Sequence, residues 1–144
     1  VVLANLPSAL AGEGGSLFRA EYRTFREVFP AVYVFPRHDR AERDAGSPAW
    51  WGRMRNVFLA ATLSEQRTKE DLTAQAERLW GDLGRAPHTR VDTELFHLAF
   101  HAGNLLDAEM LDDQVDLADV RLLTDDYAPV DTLVFEVAQA EGEP

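Results

Sequence analysis

The stretch VVLANLPSALAGEGGSLFRAEYRTFREVFPAVYVF, residues 1–35, changes its hydrophobic period twice. Residues 1–5 (VVLAN) are almost wholly apolar, the pattern of a strand buried on both faces in a parallel sheet. Residues 6–15 follow with Pro7, Gly12, Gly14 and Gly15 and read as a loop. Ser16 is placed to cap a helix. Behind it Phe18, Tyr22, Phe25 and Phe29 recur at intervals of 4, 3 and 4 residues, one apolar helical stripe that Pro30 stops. Residues 31–35 (AVYVF) are β-branched and aromatic and predict a second strand. Strand, helix and strand make a βαβ unit with a right-handed crossover and two parallel strands.

Working outward, residues 36–56 form a long irregular stretch with Gly46, Pro48, Trp50, Trp51 and Gly52. Loops of that length inside a compact domain are commonly functional. Residues 57–63 (VFLAATL) predict a third strand. Thr68 with Asp71 approximates a capping box and opens a helix carrying Leu72, Ala76 and Leu79, ending near Gly81. Asp92 caps a further helix through Leu95, Phe96, Ala99 and Ala102, closed by Gly103. Residues 107–119 are acid-rich and read as a surface segment. Pro129 suits the first turn of a terminal helix striped by Val130, Leu133, Val134 and Val137. The expectation is a single α/β domain over residues 1–144. Its parts are a βαββ core (1–63), a helical segment (64–119), and a closing segment with a terminal helix (120–144).

Composition narrows the function classes. With 46% hydrophobic residues in 144, the chain can bury a core. A net charge of −11 argues against nucleic acid, which is bound through Lys and Arg, and against anionic membrane surfaces. The same field attracts a cationic ligand such as a polyamine, and it also serves plain solubility. There is no Cys, hence no disulfide and no thiolate chemistry. Lys69 is the only lysine, which argues against a P-loop or a Schiff base. No apolar run approaches the ~18 residues of a membrane helix. No signal peptide is visible, and the absence of Cys sets the expectation of a cytoplasmic protein. The start at Val1, without Met, reads as a cut or processed chain.

In open α/β sheets, ligands bind beyond the carboxyl ends of the parallel strands. Asn5 ends the first predicted strand, and Trp50 and Trp51 lie in the loop after the second. An amide with aromatic faces can hold an amine through hydrogen bonds and cation–π contact, and the same residues also serve as turn and packing groups. Gly12, Gly14 and Gly15 lack the G-x-G-x-x-G spacing, and Glu13 would repel phosphate, so they read as a turn. His97 and His101 share a helical face but no H-E-x-x-H is present; they read as surface or packed histidines, and no metal is expected. No hydrolase triad has a local signature.

The order VVLANLPSAL, helix, VFPAVYVFP, long loop and RNVFLAATL, closed by LLTDDYAPVDTL (residues 122–133), resembles the second half of the spermidine synthase family. These polyamine aminopropyltransferases share a methyltransferase-type Rossmann-like fold. The resemblance covers most of residues 1–63 and 119–135. It implies that the three predicted strands are the fifth, sixth and seventh of a seven-stranded sheet. The seventh runs antiparallel and inserts between the other two. The chain would then be a partial Rossmann-like sheet of three strands, two parallel and one antiparallel, with flanking helices. Asn5 stands where the family commonly carries a glutamine facing the amine, and Trp50 or Trp51 is similar in position to a pocket aromatic. Asp125, Asp126 and Tyr127 belong to the closing motif, where the two aspartates also suit the cap of the terminal helix. The implied activity is aminopropyl transfer from decarboxylated S-adenosylmethionine to putrescine, or a related S-adenosylmethionine-dependent transfer. The cosubstrate loop and the catalytic aspartate belong to earlier strands, so this chain alone is expected to hold no cofactor, no catalytic residue and no activity. The implied partners are a second copy in a homodimer, or the missing N-terminal half. A non-catalytic interaction or dimerisation domain is the other class that fits.

Overall fold

The computed structural model describes residues 1–37, 47–83 and 104–124. Three strands, β1 (Val2–Ser8), β2 (Ala31–Pro36) and β3 (Arg55–Thr62), form one sheet in the order β1-β3-β2. Helix α1 (Ser16–Val28) connects β1 to β2 after a 3-10 turn at Glu13–Gly15. The short helix α2 (Pro48–Gly52) precedes β3, α3 (Lys69–Leu83) follows it, and α4 (Ala108–Gln114) lies near the C-terminal end of the described chain. No helix among the described residues is long and apolar enough to cross a membrane.

The chain is therefore mixed α/β with a three-stranded sheet. The expectation of parallel pairing is corrected: β3 pairs antiparallel with both β1 and β2. The α1 crossover does bring β1 and β2 into one sheet pointing the same way. However, β3 separates them, and both ladders of this sheet are antiparallel.

β1 is longer than its apolar run suggests. It continues through Pro7 to Ser8, so Leu6, Pro7 and Ser8 are ladder residues rather than loop. One bond at β3 explains how a proline is tolerated there. The Arg37 N–H donates to the Asn56 carbonyl at 2.8 Å, so the backbone groups of Asn56 point towards β2. Alternation then turns those of Val57, Leu59 and Ala61 towards β1, where they face Leu6, Ala4 and Val2. The N–H and C=O groups of Leu3 and Asn5, and the C=O of Pro7, point the other way. Pro7 thus sits on an edge strand with its missing N–H facing outward, where it breaks no ladder bond.

The two faces of the sheet differ. Ala4, Leu6, Val57, Leu59, Ala61, Val32 and Val34 lie on the face that packs against Leu17, Phe18 and Tyr22 of α1 and against Leu111 of α4. Ala31 and Tyr33 on the other face pack with Leu105 and the half-buried Leu72 of α3. That cover stops short of β1. Leu3 is 75% exposed, and Asn5 and Pro7 are exposed, so β1 is not buried on both faces as its composition predicts.

Ser16 is the first residue of α1 and not its cap; the cap position is Gly15, which has no side chain. The hydroxyl of the fully buried Ser8 does the work from a distance. It accepts from the Phe18 N–H at 3.3 Å and donates to the Gly14 carbonyl at 3.1 Å. This satisfies one of the donors that a helix start leaves open. Thr68 behaves as its spacing predicts and accepts from the Asp71 N–H at 3.1 Å.

The acid-rich residues 107–119 are more than a surface segment. They contain α4, and Leu111 and Val115 are buried in the main core. The segment is clasped onto α1. Arg26 pairs with Asp112 at 2.7 Å, Arg23 donates to the carbonyls of Leu117 and Val120, and the Leu123 N–H donates to the Thr24 hydroxyl at 2.8 Å. The beginning of LLTDDYAPVDTL is thereby anchored to the helix that crosses between β1 and β2. The helix predicted to end at Gly103, the terminal helix after Pro129, His97, His101, Asp125, Asp126 and Tyr127 lie outside the described residues.

Candidate functional site

The carboxyl ends of β1 and β2 lie at the same edge of the sheet, because both strands run antiparallel to β3. The loop after β1 and helix α2 meet there. The Leu10 and Ala11 N–H groups donate to the Trp51 carbonyl at 2.9 and 3.0 Å. The loop is compact: the Ala9 N–H donates to the Gly14 carbonyl at 3.0 Å and the Gly15 N–H to the Gly12 carbonyl at 3.1 Å. Gly12 has φ 72 and ψ −165, a conformation that glycine alone adopts readily. At Gly15 an added Cβ would stand 3.2 Å from the Leu10 carbonyl carbon.

The two tryptophans have different roles. Trp50 is 4% exposed and belongs to the main core, on the α1 face of the sheet. The Arg55 guanidinium lies 4.1 Å from the centre of its ring and also donates to the Trp50 carbonyl. The protein's own cation therefore occupies a face of that indole. Trp51 stands edge-on to Trp50, with centroids 5.1 Å apart, and remains half-buried. Of the pair, Trp51 is the one with aromatic surface left for a ligand.

Asn5 does not join them. It lies in mid-strand opposite Phe58, exposed, on the face away from Trp50. The sheet itself separates the amide from the indoles. A different asparagine is buried. Asn104 is fully buried, and neither its Oδ1 nor its Nδ2 has a hydrogen-bond partner. Two residues on, the Leu106 N–H donates to the Val34 carbonyl at 3.0 Å, which fastens this segment along β2. Neither Asn104 nor Arg55 stands out in the sequence. Only the distance of five residues between Trp50 and Arg55, spanning a helix end, hints at their contact.

The described edge offers aromatic surface and cations. Arg37, Arg53 and Arg55 flank it, whereas Glu13 is the acid of the loop after β1. It can stack on an apolar or π surface, but it supplies no carboxylate cluster to hold an ammonium or take its proton. In the glycine turn the Ala9 and Gly15 amides are taken up by the Gly14 and Gly12 carbonyls, and Gly15 is packed against the backbone of Leu10. Among the described residues no group of three or more His, Asp or Glu could hold a metal. Away from this edge, burial raises the pKa of Glu21 on α1. Burial also raises that of Tyr22, which the nearby Arg26 partly offsets.

No family model, curated protein or solved structure matches the chain.

Proposed function

We propose that the chain forms the closing edge of a methyltransferase-type sheet in a spermidine-synthase-like transferase, acting as aminopropyl transferase or in a related S-adenosylmethionine-dependent transfer. The observation that carries this reading is the strand order β1-β3-β2 with β3 antiparallel to its two co-directional neighbours. That order is what the resemblance implies for strands five, seven and six. A further support is that, among the described residues, no strand pairs with the outer edge of β1, where such a fold places a fourth strand. In this reading Trp51 contributes an aromatic wall to the amine site, and Arg55 and Trp50 hold the edge in shape. The resemblance assigns the cosubstrate loop and the acceptor of the amine proton to earlier strands, so in this reading both come from residues outside this chain. The exposed β1 edge also favours a second reading, a non-catalytic association domain.

The test is a transfer assay on the intact protein with putrescine and decarboxylated S-adenosylmethionine, run in parallel with S-adenosylmethionine. Release of methylthioadenosine, or of S-adenosylhomocysteine, is expected. Binding of neither compound to the intact protein would overturn the transferase reading.

A further inference from the structure

We propose that residues 104–106 form a strap that opens off the outer edge of β2, and that the side chain of Asn104 sets how readily it does so. The inference is independent of the enzymatic reading and rests on contacts within this chain.

The ladder places the strap. The Arg37 N–H donates to the Asn56 carbonyl, so alternation turns the backbone of Tyr33 and Phe35 towards β3 and that of Val32, Val34 and Pro36 outward. At Val32 the outward groups meet a side chain. The Val32 N–H donates to Gln66 Oε1 at 3.2 Å, and Gln66 Nε2 donates to the Val32 carbonyl at 3.5 Å. At Val34 the outward carbonyl accepts from the Leu106 N–H at 3.0 Å. Residues 105–109 line one cleft with residues 66–70, so the chain after Leu106 runs towards Gln66. Asn104, two residues before Leu106, therefore lies towards Pro36 and the carboxyl end of β2, the end at which the candidate site is built.

Opposed forces act on this short run. Leu105 and Leu106 are buried on opposite faces of the sheet, Leu105 beside Ala31 and Tyr33 and Leu106 in the main core. Asn104 works against them. It is fully buried, and neither its Oδ1 nor its Nδ2 has a hydrogen-bond partner. A carboxamide offers an acceptor and two donor hydrogens, all of which water satisfies once the strap lifts. The penalty for leaving both ends of a buried amide unmet is of the same order as the gain from burying a leucine or two. The closed and open strap are thus close in free energy, and a change at residue 104 moves the balance.

The neighbours stay in place when the strap lifts. Asp107 is the cap position of α4, whose Leu111 lies in the main core and whose Asp112 pairs with Arg26. On the other side Gln66 keeps its hold on Val32, and the Arg67 N–H donates to the Tyr33 hydroxyl at 2.8 Å. Opening therefore bares the Val34 carbonyl and the sheet edge next to the candidate site without unfolding α4 or β2, a local transition of one extended segment.

The experiment is amide exchange on the chain, wild type beside Asn104→Leu, with urea denaturation of both. In the wild type the Leu106 amide should exchange at least about tenfold faster than the Leu59 amide at the centre of the sheet, at a rate that stays flat in low urea. Asn104→Leu removes the polar atoms at similar volume. It should slow Leu106 exchange at least about tenfold and raise the urea midpoint. Equal protection of Leu106 and Leu59 in the wild type would overturn the proposal, since the strap would then open only with the whole fold; that comparison needs no variant. A variant whose Leu106 amide exchanges as fast as in the wild type, or faster, would overturn it too, since the Asn104 amide would not then be what opens the strap.

Discussion

The Leu10 N–H donates to the Trp51 carbonyl at 2.9 Å, which joins the loop leaving β1 to the helix that leads into β3. The contact puts two loops far apart in sequence at one edge of the sheet, where a ligand would meet both. Trp51 is the residue there with aromatic surface to spare. On the proposed transferase reading, Trp51→Ala in the intact protein should raise the KM for the amine by about tenfold with little change in kcat, the size of a partly desolvated cation–π contact. An unchanged KM would remove Trp51 from the amine site.

Ser8 and Phe18 illustrate a cap supplied across ten residues of chain. Ser8→Ala removes an acceptor for the Phe18 N–H and a donor to the Gly14 carbonyl, both buried. A loss of about 1–2 kcal/mol in urea denaturation is expected. A loss within error would mean that α1 starts without this hydroxyl.

Gly12 tests the turn independently. With φ 72 and ψ −165 and nothing within 4 Å of an added Cβ, Gly12→Ala meets backbone strain and no collision. The expected loss is about 1–3 kcal/mol, measured by the same denaturation.

The clasp between α1 and the segment at residues 107–124 combines an exposed ion pair with buried apolar groups. Arg26 and Asp112 are 45% and 57% exposed in their side chains, so Asp112→Ala should cost less than about 1 kcal/mol. Leu111 is 2% exposed, and Leu111→Ala should cost about 2–5 kcal/mol through the cavity it leaves. Thermal melts of the two variants should therefore differ widely, and equal losses would contradict the packing described.

Glu21 sets a pH dependence. Burial raises its pKa above the ordinary 4.5, so the folded chain holds that proton more tightly than the unfolded one. Its contribution is favourable below pH 4.5 and is lost as pH rises through the folded-state pKa. Glu21→Gln should be more stable than wild type at pH 7 and lose that advantage below pH 4.5, read from melting temperatures across the range. A wild type as stable as the variant at pH 7 would contradict the burial of this carboxyl.

Much of the fold was legible in the first 35 residues, because the period of α1 and the apolar runs of β1 and β2 each answer to local burial. What was illegible depends on non-local partners. Pro7 reads as a loop residue until the parity of β3 shows that its nitrogen faces an open edge. The antiparallel ladders follow from where β3 inserts, which the resemblance implied and which no feature of residues 57–63 states. Asn5 was read at a strand end because the apolar run stops there, whereas the ladder continues to Ser8 and turns its side chain away from the tryptophans. Trp50 was read as a ligand surface because sequence cannot show that Arg55 folds back over its ring. Asn104 carries no pattern at all; its burial comes from the tertiary run of residues 104–106 along β2.

The functional reading rests on β3 lying between β1 and β2, and nuclear Overhauser contacts between Hα protons test that arrangement most directly. Non-hydrogen-bonded antiparallel pairs bring these protons together, and the ladder parity assigns them. Contacts between Leu3 and Ala60, Asn5 and Phe58, Val32 and Ala61, and Val34 and Leu59 are expected. Contacts running directly between β1 and β2, with those to β3 missing, would show a parallel pair without the inserted strand and contradict the account.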